Sequence, residues 1–537
     1  MTETRARPVK GLGSAAATIT FWNLISRILG FVRVLATAGA LGIAALGDTY
    51  QRTNQVSNLL FELLAGGMLF AVLVPTFVSH LASNSRADAG RLAGAVATRA
   101  VAALTVVVIV GLAFAEPIVR ALSSGVSDTS RDAQVDLGVF LLWFVLPQLF
   151  FYGLGAVASA LLQADSRFVA VSVAPAASSL VVTATMVAFA FTHDVDRGLT
   201  LTGGEKVLLG GGTLAATAVL ALVPLVAAAR AGFPLRPAWH VPGDELAPLI
   251  RRGAWATGHV GLNQVLVMST VVLAGRIEGG VIAYQTAFTF FLLPHALLAH
   301  PIFTSLYPRL SAAGADRKDM EAFSDDLGRG LRTMTALVLP ASSLLAVLGG
   351  PALSLVRVGS FDSNGVSLVA STLAAYLAGL AAYSATFLLT RASYALDDAR
   401  RPTTVNLWAT IVAVAAMTAA SSTFEGRALL VAFGMITAVT TTAAAVILHH
   451  HVTSLIGRPV PVLRSAVGSL VVAAVGGSAA LVIVGLVGWA DSGSAVLALL
   501  GGAGAGSVGI AVAISVVGTD DVEPVLGILR RVRGRLR

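Results

Sequence analysis

The stretch SRILGFVR, Ser26 to Arg33, lies inside an otherwise apolar run, with AAATITFWNLI before it and VLATAGALGIAAL after it. Crossing a bilayer takes about 20 apolar residues in a helix, and the flanks supply them. An Arg at mid-bilayer costs roughly 2.5–3.5 kcal/mol on insertion scales. Two in one segment therefore demand a compensating environment. The flanks decide the fold class, and the two arginines point towards what the fold is for.

The rest of the chain repeats the pattern of the flanks. Its 537 residues are 56% hydrophobic and only 12% charged, where soluble domains carry about 25% charge. Mean hydropathy is +0.83. The apolar residues come in unbroken blocks rather than in alternation, which favours helices over a β-barrel. The reading is an all-α polytopic membrane protein with about fourteen spans, from 17–44 to 493–518, the second at 53–80 and the seventh at 247–275. The basic start MTETRARPVKG reads as a cytoplasmic tail. The apolar segment after it is too long for a signal-peptide core and lacks a small-x-small cleavage site. With no cysteine, disulfides and thiolate metal sites are excluded.

Lys and Arg set the orientation. With the N-terminus inside, 25 of the 36 fall in cytoplasmic segments, 8 in outer segments, and Arg27, Arg33 and Arg99 within spans. That asymmetry is the positive-inside pattern. It places both termini in the cytoplasm and accounts for the net charge of +8 without nucleic acid as a partner.

A faint repeat organises the spans. SALLQADSRF (Ser159 to Phe168) and SYALDDARRP (Ser393 to Pro402) are similar polar turns, six helices apart. They suggest two parallel six-helix halves, 17–230 and 247–450, a transporter architecture with its site at the interface. Two further helices fill 464–518, and tails occupy 1–16 and 519–537. Small residues in the last helix, GGAGAGSVG, suit close helix packing.

Arg27 and Arg33 are six residues apart, about 9 Å along a helix and about 120° around it. Gly30 between them leaves room for a ligand or a neighbouring backbone. Arginine suits phosphate because its planar fork bonds two oxygens at once. The alternative is that each Arg pairs with an acid and only fixes packing; Glu62 and Asp48 are the candidate acids. Asp48 reads as a solvated residue near the outer interface, with Arg52 close by. Arg99 lies near the cytoplasmic end of the third span, where it can snorkel. Arg391, Tyr394 and Asp397 cap the tenth span. His295 and His300 read as pore-lining or packing residues, and His449 to His451 as interfacial. No Walker loop, GxSxG or HExxH occurs, so neither a catalytic residue, a metal site nor a cofactor is expected. Residue-level reasoning reaches a secondary transporter that binds an anion.

At SRILGFVR the sequence resembles the MurJ/MviN family of lipid II flippases, within the MATE-like exporter superfamily. The family opens on Ser-Arg-x-x-Gly-Phe-x-Arg, matched by Ser26, Arg27, Gly30, Phe31 and Arg33. Gly47-Asp48, Asn58-Leu59-Leu60, Gly67 and Val74-Pro75 continue the resemblance. So do Leu162 to Phe168 with Pro175, Pro294 and Pro308, and Arg391, Tyr394-Ala395, Asp398 and Pro402.

The resemblance implies a flippase that moves the undecaprenyl-pyrophosphate-linked disaccharide-pentapeptide of peptidoglycan synthesis from inner to outer leaflet by alternating access. It implies Arg27, Arg33, Gly30 and Ser26 at the pyrophosphate, with Asp48, Glu62 and Arg52 in the site. Arg99, Arg276, Arg391 and Tyr394 are secondary candidates. Partners are the lipid-linked substrate, membrane lipids and cell-wall synthesis proteins, at a bacterial cell membrane. The last two helices would form a groove for the polyprenyl tail. The chain departs from the family at Val34, Phe61-Glu62, Gly66, Thr289 and Leu292, where members carry charges. Those departures keep two other functions open: export of another polyprenyl-pyrophosphate-linked glycan, or a non-transporting scaffold. Tags at positions 278 and 425 are expected to label from outside the cell; labelling from the cytoplasm alone would overturn the orientation.

Overall fold

The computed structural model describes residues 12–63, 70–83, 86–194, 197–233, 235–239, 246–314, 319–357, 359–489 and 491–517. Most of the two expected tails and Gly66 and Gly67 lie outside them. The described segments are helical and gather into two compact units. One comprises Met1–Leu41, Arg52–Ala121 and Arg131–Thr257; the other comprises Gly42–Gln51, Leu122–Ser130 and Gly258–Arg537.

The first unit holds α1 (Leu12–Leu41), most of α2 (Ala45–Phe61), α3 (Phe70–Ser83), α4 (Arg86–Ala113) and α5 (Ala115–Leu122). It continues with α6 (Asp128–Val145), α7 (Gln148–Ala164), α8 (Phe168–Thr192), α9 (Gly203–Arg230) and the start of α10 (Leu246–Ala274). Helix α8 packs on α1 and α9, and α7 packs on α3, α4 and α9. Leu73, Phe77, Leu92, Val157, Leu161 and Phe233 form a buried apolar core there.

The second unit continues from α10 into α11 (Gly280–Pro294), a π-helical turn at His295–Ala299, and α12 (His300–Gly314). Then follow α13 (Met320–Leu355), α14 (Ser363–Leu377), α15 (Leu380–Ala395) and α16 (Arg400–Ala420). The last are α17 (Gly426–Ile456), α18 (Leu463–Val487) and α19 (Ser492–Val517). Helix α13 packs on α14, α18 and α19, while α17 packs on α14, α15 and α16. Pro294 explains the π turn: it has no N–H to donate, so the ladder re-forms one residue out of step.

Among the described residues eleven helices are long and apolar enough to span a bilayer, and twelve if α14 and α15, bent by 48°, count as one span. Of the other two expected spans, 53–80 includes residues outside those described, and 247–275 corresponds to α10. Helix α2 is polar through Thr49, Gln51, Arg52, Asn54 and Gln55, and the helix stops short of residues 64–69, which lie outside those described. Helix α10 is continuous from Leu246 to Ala274, with Arg251 and Arg252 near its start and the apolar stretch Val260–Ala274 after them.

Hydroxyls inside the spans turn back on their own helix. Thr37 donates to the Arg33 carbonyl at 2.8 Å, Thr98 to Gly94 at 2.8 Å, Ser342 to Val338 at 2.7 Å and Thr372 to Leu368 at 2.7 Å. Each hydroxyl thereby finds an acceptor four residues back.

The two polar turns noticed in the sequence share a backbone form. Ser166 (φ 60°) and Asp397 (φ 61°) are the positive-φ residues other than glycine among those described. Arg167 N–H bonds the Leu162 carbonyl at 2.8 Å, and Asp398 N–H bonds Ser393 at 2.9 Å. Both are the six-to-one closure of a Schellman turn. The register differs by three residues from the letter match: Leu162 corresponds to Ser393, because the left-handed position aligns the turns. Side chains then lock each one. Asp165 pairs with Arg86 at 3.0 Å and Arg167 at 2.8 Å. Asp398 accepts from Arg400 N–H at 3.1 Å, Arg401 N–H at 3.0 Å and His451 Nε2 at 2.7 Å.

Burial works against the Asp398 charge, but the Arg401 N–H, His451 and the Arg400 N–H outweigh it and hold the carboxyl below its ordinary value. A depressed carboxylate adds stability above its unfolded pKa, near 4, and loses it as pH falls through the folded value. Asp398→Ala is expected to cost about 1 kcal/mol at neutral pH, as for loss of a helix cap. The difference from the parent protein should shrink below about pH 4, as read by thermal unfolding in detergent from neutral to acid pH.

Candidate functional site

Helix α1 runs apolar through its length except at Asn23, Ser26, Arg27, Arg33 and small hydroxyls. Arg27 and Arg33 are exposed, while Ser26 and Gly30 are half-buried. Neither guanidinium joins an ion pair with a described residue. Arginines at helix ends behave differently: Arg86 and Arg167 meet Asp165, Arg309 meets Asp326 at 2.9 Å, Arg458 meets Glu321 at 2.8 Å, and Arg197 meets Glu205. The pairing alternative for α1 therefore lacks its acids. Asp48 is committed elsewhere, and Glu62, half-buried in the π turn closing α2, makes no ion pair with a described residue. A Cβ built on Gly30 meets nothing within 4 Å, so the space beside this glycine is open and not filled by a neighbouring backbone.

Arg33 has polar company within the first unit. Its charge acts on the Tyr152 phenol of α7, which hydrogen-bonds Thr217 of α9. Phe61, the residue before Glu62, stacks at a tilt on Tyr152 with ring centroids 4.4 Å apart. Four helices thus bring a guanidinium, a phenol, a hydroxyl and an aromatic ring to one region. Tyr152 and Thr217 were not singled out from the sequence. Their letters, FFYGLG and AATAVL, read as ordinary span interior, and only the helix packing brings them to Arg33.

Asp48 and Arg52, expected in the same site, are both buried and hydrogen-bonded. Asp48 is 2% exposed, not solvated. Its carboxylate accepts from Gly279 N–H and Ile282 N–H, both at 2.9 Å, and so caps the start of α11. Its separation in sequence from those amides hid this role. Arg52, also 2% exposed, donates to Gln134 Oε1 at 2.9 Å within the first unit. These are buried, bonded groups whose removal costs stability.

The secondary candidates scatter. Arg99 donates to the Trp239 carbonyl at 2.9 Å, pinning the segment after α9 onto α4. Arg276 donates to the Ser421 carbonyl at 2.6 Å. Arg391 lies over the rings of Phe387, Tyr307 and Tyr394, 5.4 to 6.0 Å from their centroids, a cation–π arrangement. His295 is buried in the π turn, 2.9 Å from Ser384 Oγ, which makes it a packing residue. No group of three His, Asp or Glu suited to a metal gathers among the described residues.

Long apolar helices gathered in two units make this a polytopic membrane-transporter fold, and solved structures agree. The fold is similar to that of a lipid II flippase MurJ in an inward closed conformation, with TM-score 0.72 and 17% identity, over 93% of this chain and 98% of that one. It is similar also to an inward-facing multidrug resistance MATE family transporter of the MOP superfamily, with TM-score 0.64 and 14% identity, over 82% and 98%. In sequence, the family profile described as "Lipid II flippase MurJ" matches residues 37–502. A protein of Burkholderia cenocepacia named lipid II flippase MurJ is 28% identical over 407 residues, 74% of this chain and 76% of its own. A probable lipid II flippase MurJ of Rickettsia prowazekii is 22% identical over 397 residues, 73% and 75%.

The chain belongs to the lipid II flippase MurJ family. The profile match begins after the helix-one motif, so the likeness at Ser26 to Arg33 rests on those residues themselves.

Gly279 and Gly30 make a sharp contrast in stability. Gly279 has φ 75°, and a Cβ there would lie 2.2 Å from the Ile43 carbonyl oxygen. Gly279→Ala is expected to destabilise by at least about 1–2 kcal/mol, the left-handed penalty alone. Gly30→Ala is expected to be neutral or to stabilise by up to about 1 kcal/mol, as for Gly to Ala in a helix. Thermal unfolding of the two variants side by side checks both.

Proposed function

We propose that this protein carries lipid II, the undecaprenyl-pyrophosphate-linked disaccharide-pentapeptide, from the inner to the outer leaflet of a bacterial cell membrane by alternating access. Arg27 and Arg33 take the pyrophosphate in this reading. The observation that carries it is that two intramembrane guanidiniums lack an ion pair among the described residues, beside a glycine with open space. Intramembrane charges without partners mark substrate paths. Membership of the flippase family supplies the substrate.

The chemistry follows from the charges. A pyrophosphate stripped of water needs donors, and two planar forks offer bidentate bonds to its oxygens. The Tyr152 phenol adds a neutral donor beside Arg33. Glu62 supplies an acceptor for hydroxyls or amides of the sugar and peptide. The polyprenyl tail stays in hydrocarbon, so only the headgroup needs a polar route. Both termini lie in the cytoplasm by the arginine asymmetry, and enzymes that supply or consume the lipid are the expected protein partners.

A second reading is export of another polyprenyl-pyrophosphate-linked glycan. It draws on Phe61-Glu62, Thr289 and Leu292, where charges of the family are missing. Thr289 is exposed and donates to the Gln285 carbonyl at 2.9 Å. The pyrophosphate site on α1 is common to both readings.

The test is depletion of the protein in its host, with lipid II scored in each leaflet by a headgroup-specific probe. Loss from the outer leaflet and accumulation inside is expected. The wild type should restore it, while Arg27→Ala or Arg33→Ala, each stably inserted, should lower transport at least about tenfold, as for one charge-assisted hydrogen bond of roughly 1.5–3 kcal/mol. Full transport by both variants would overturn the anion site. Unchanged lipid II on depletion would favour the other glycan.

A further inference from the structure

We propose that the groove between α16 and α17 is a binding site for an anionic glycerophospholipid of the cytoplasmic leaflet. This site is separate from α1 and does not depend on which lipid the protein transports. It lies wholly within the second unit.

The two helices form an antiparallel pair with small residues facing each other. Ala409 on α16 and Ala443 and Ala444 on α17 leave a cavity of about 780 Å³ between them. Arg401, Thr404, Trp408 and Val412 recur every three or four residues, so they share the α16 face that borders it. A second cavity of about 600 Å³, lined by α17 from Met435 to Ile447 and by Ala378, meets the first at Ala443 and Ile447. From His451 to Thr440 the α16–α17 groove follows about 16 Å of helix at 1.5 Å per residue. The headgroup end of an acyl chain fits that length.

The groove is polar at one end only. Arg400 and Arg401 stand at its mouth, both exposed, and neither guanidinium joins an ion pair with a described residue. The acid at the same mouth, Asp398, is already engaged by His451 Nε2 and by the Arg400 and Arg401 backbone N–H groups. Its charge is met locally, and two cations are left over. Trp408, 66% exposed, forms the wall one to two turns further in. Tryptophan favours the level of the headgroups and the first carbons of the chains. Two guanidiniums, then an indole, then an apolar floor follow the order of a phosphodiester, a glycerol backbone and an acyl chain. The net charge selects an anionic headgroup over a zwitterionic one, whose own cation would face two arginines. Basic pockets between helices on the cytoplasmic side are the recurring site for such lipids.

The experiment uses quenching of Trp408. The full-length protein is placed in bilayers with an equal mole fraction of brominated phosphatidylglycerol or brominated phosphatidylcholine. The Trp408 signal is the difference between wild type and Trp408→Phe. Several-fold stronger quenching by the brominated phosphatidylglycerol is expected. The preference should vanish in the Arg400→Gln/Arg401→Gln double variant and survive in Arg400→Lys/Arg401→Lys. Equal quenching of the wild type by the two lipids overturns the proposal without any variant. A preference untouched by the Gln substitutions also overturns it. Recovery of Trp408 emission on adding undecaprenyl pyrophosphate at equal mole fraction would make the occupant a polyprenyl lipid instead, and would overturn it too.

Discussion

Hydrocarbon offers no hydrogen-bond partner, so a polar group placed in it must be satisfied by the protein or meet water. The structure follows from this constraint. Helices satisfy their own backbones. Where α11 begins, its free N–H groups meet the Asp48 carboxylate. Where Pro294 interrupts the ladder, a π turn restores it and His295 finds Ser384. Arg52 finds Gln134. Against that background, two arginines on α1 join no ion pair among the described residues.

Acids are scarce in this chain, with 28 Asp and Glu against 36 Lys and Arg. Most acids that pair do so at helix ends: Asp165 and Asp398 at the two Schellman turns, Glu205 at the start of α9, Glu321 and Asp326 in the first turns of α13. Cations deeper in the spans, or without a nearby carboxylate, turn to other acceptors. Arg99 and Arg276 use backbone carbonyls, and Arg391 uses aromatic faces. The surplus of positive charge leaves guanidiniums that join no ion pair with a described residue, both on α1 and at the mouth of the α16–α17 groove.

The helical class was legible because hydropathy and the distribution of arginine act over whole segments. Span boundaries were less so, since a polar helix such as α2 carries little hydropathy signal. The two tight turns were visible as similar letters, yet their true register follows Ser166 and Asp397, which take the left-handed conformation. Arg27 and Arg33 drew attention in the sequence because a charge in an apolar run is conspicuous. Asp48 was read as solvated because its partners come 231 residues later, beyond any local pattern. Tyr152 and Thr217 carry no signal of their own and acquire meaning only by proximity.

The hydroxyls that bond back to their own helices have a consequence for how such a protein is made. Spans enter the bilayer as the ribosome delivers them, and early ones wait for later ones. A threonine that needed an interhelical acceptor would wait unsatisfied. Thr37, Thr98, Ser342 and Thr372 each close on a carbonyl four residues earlier in the same helix, so none of these hydroxyls waits for a later helix. The waiting falls instead on a few groups whose partners come from elsewhere in the chain, such as Asp48, Arg52 and His295.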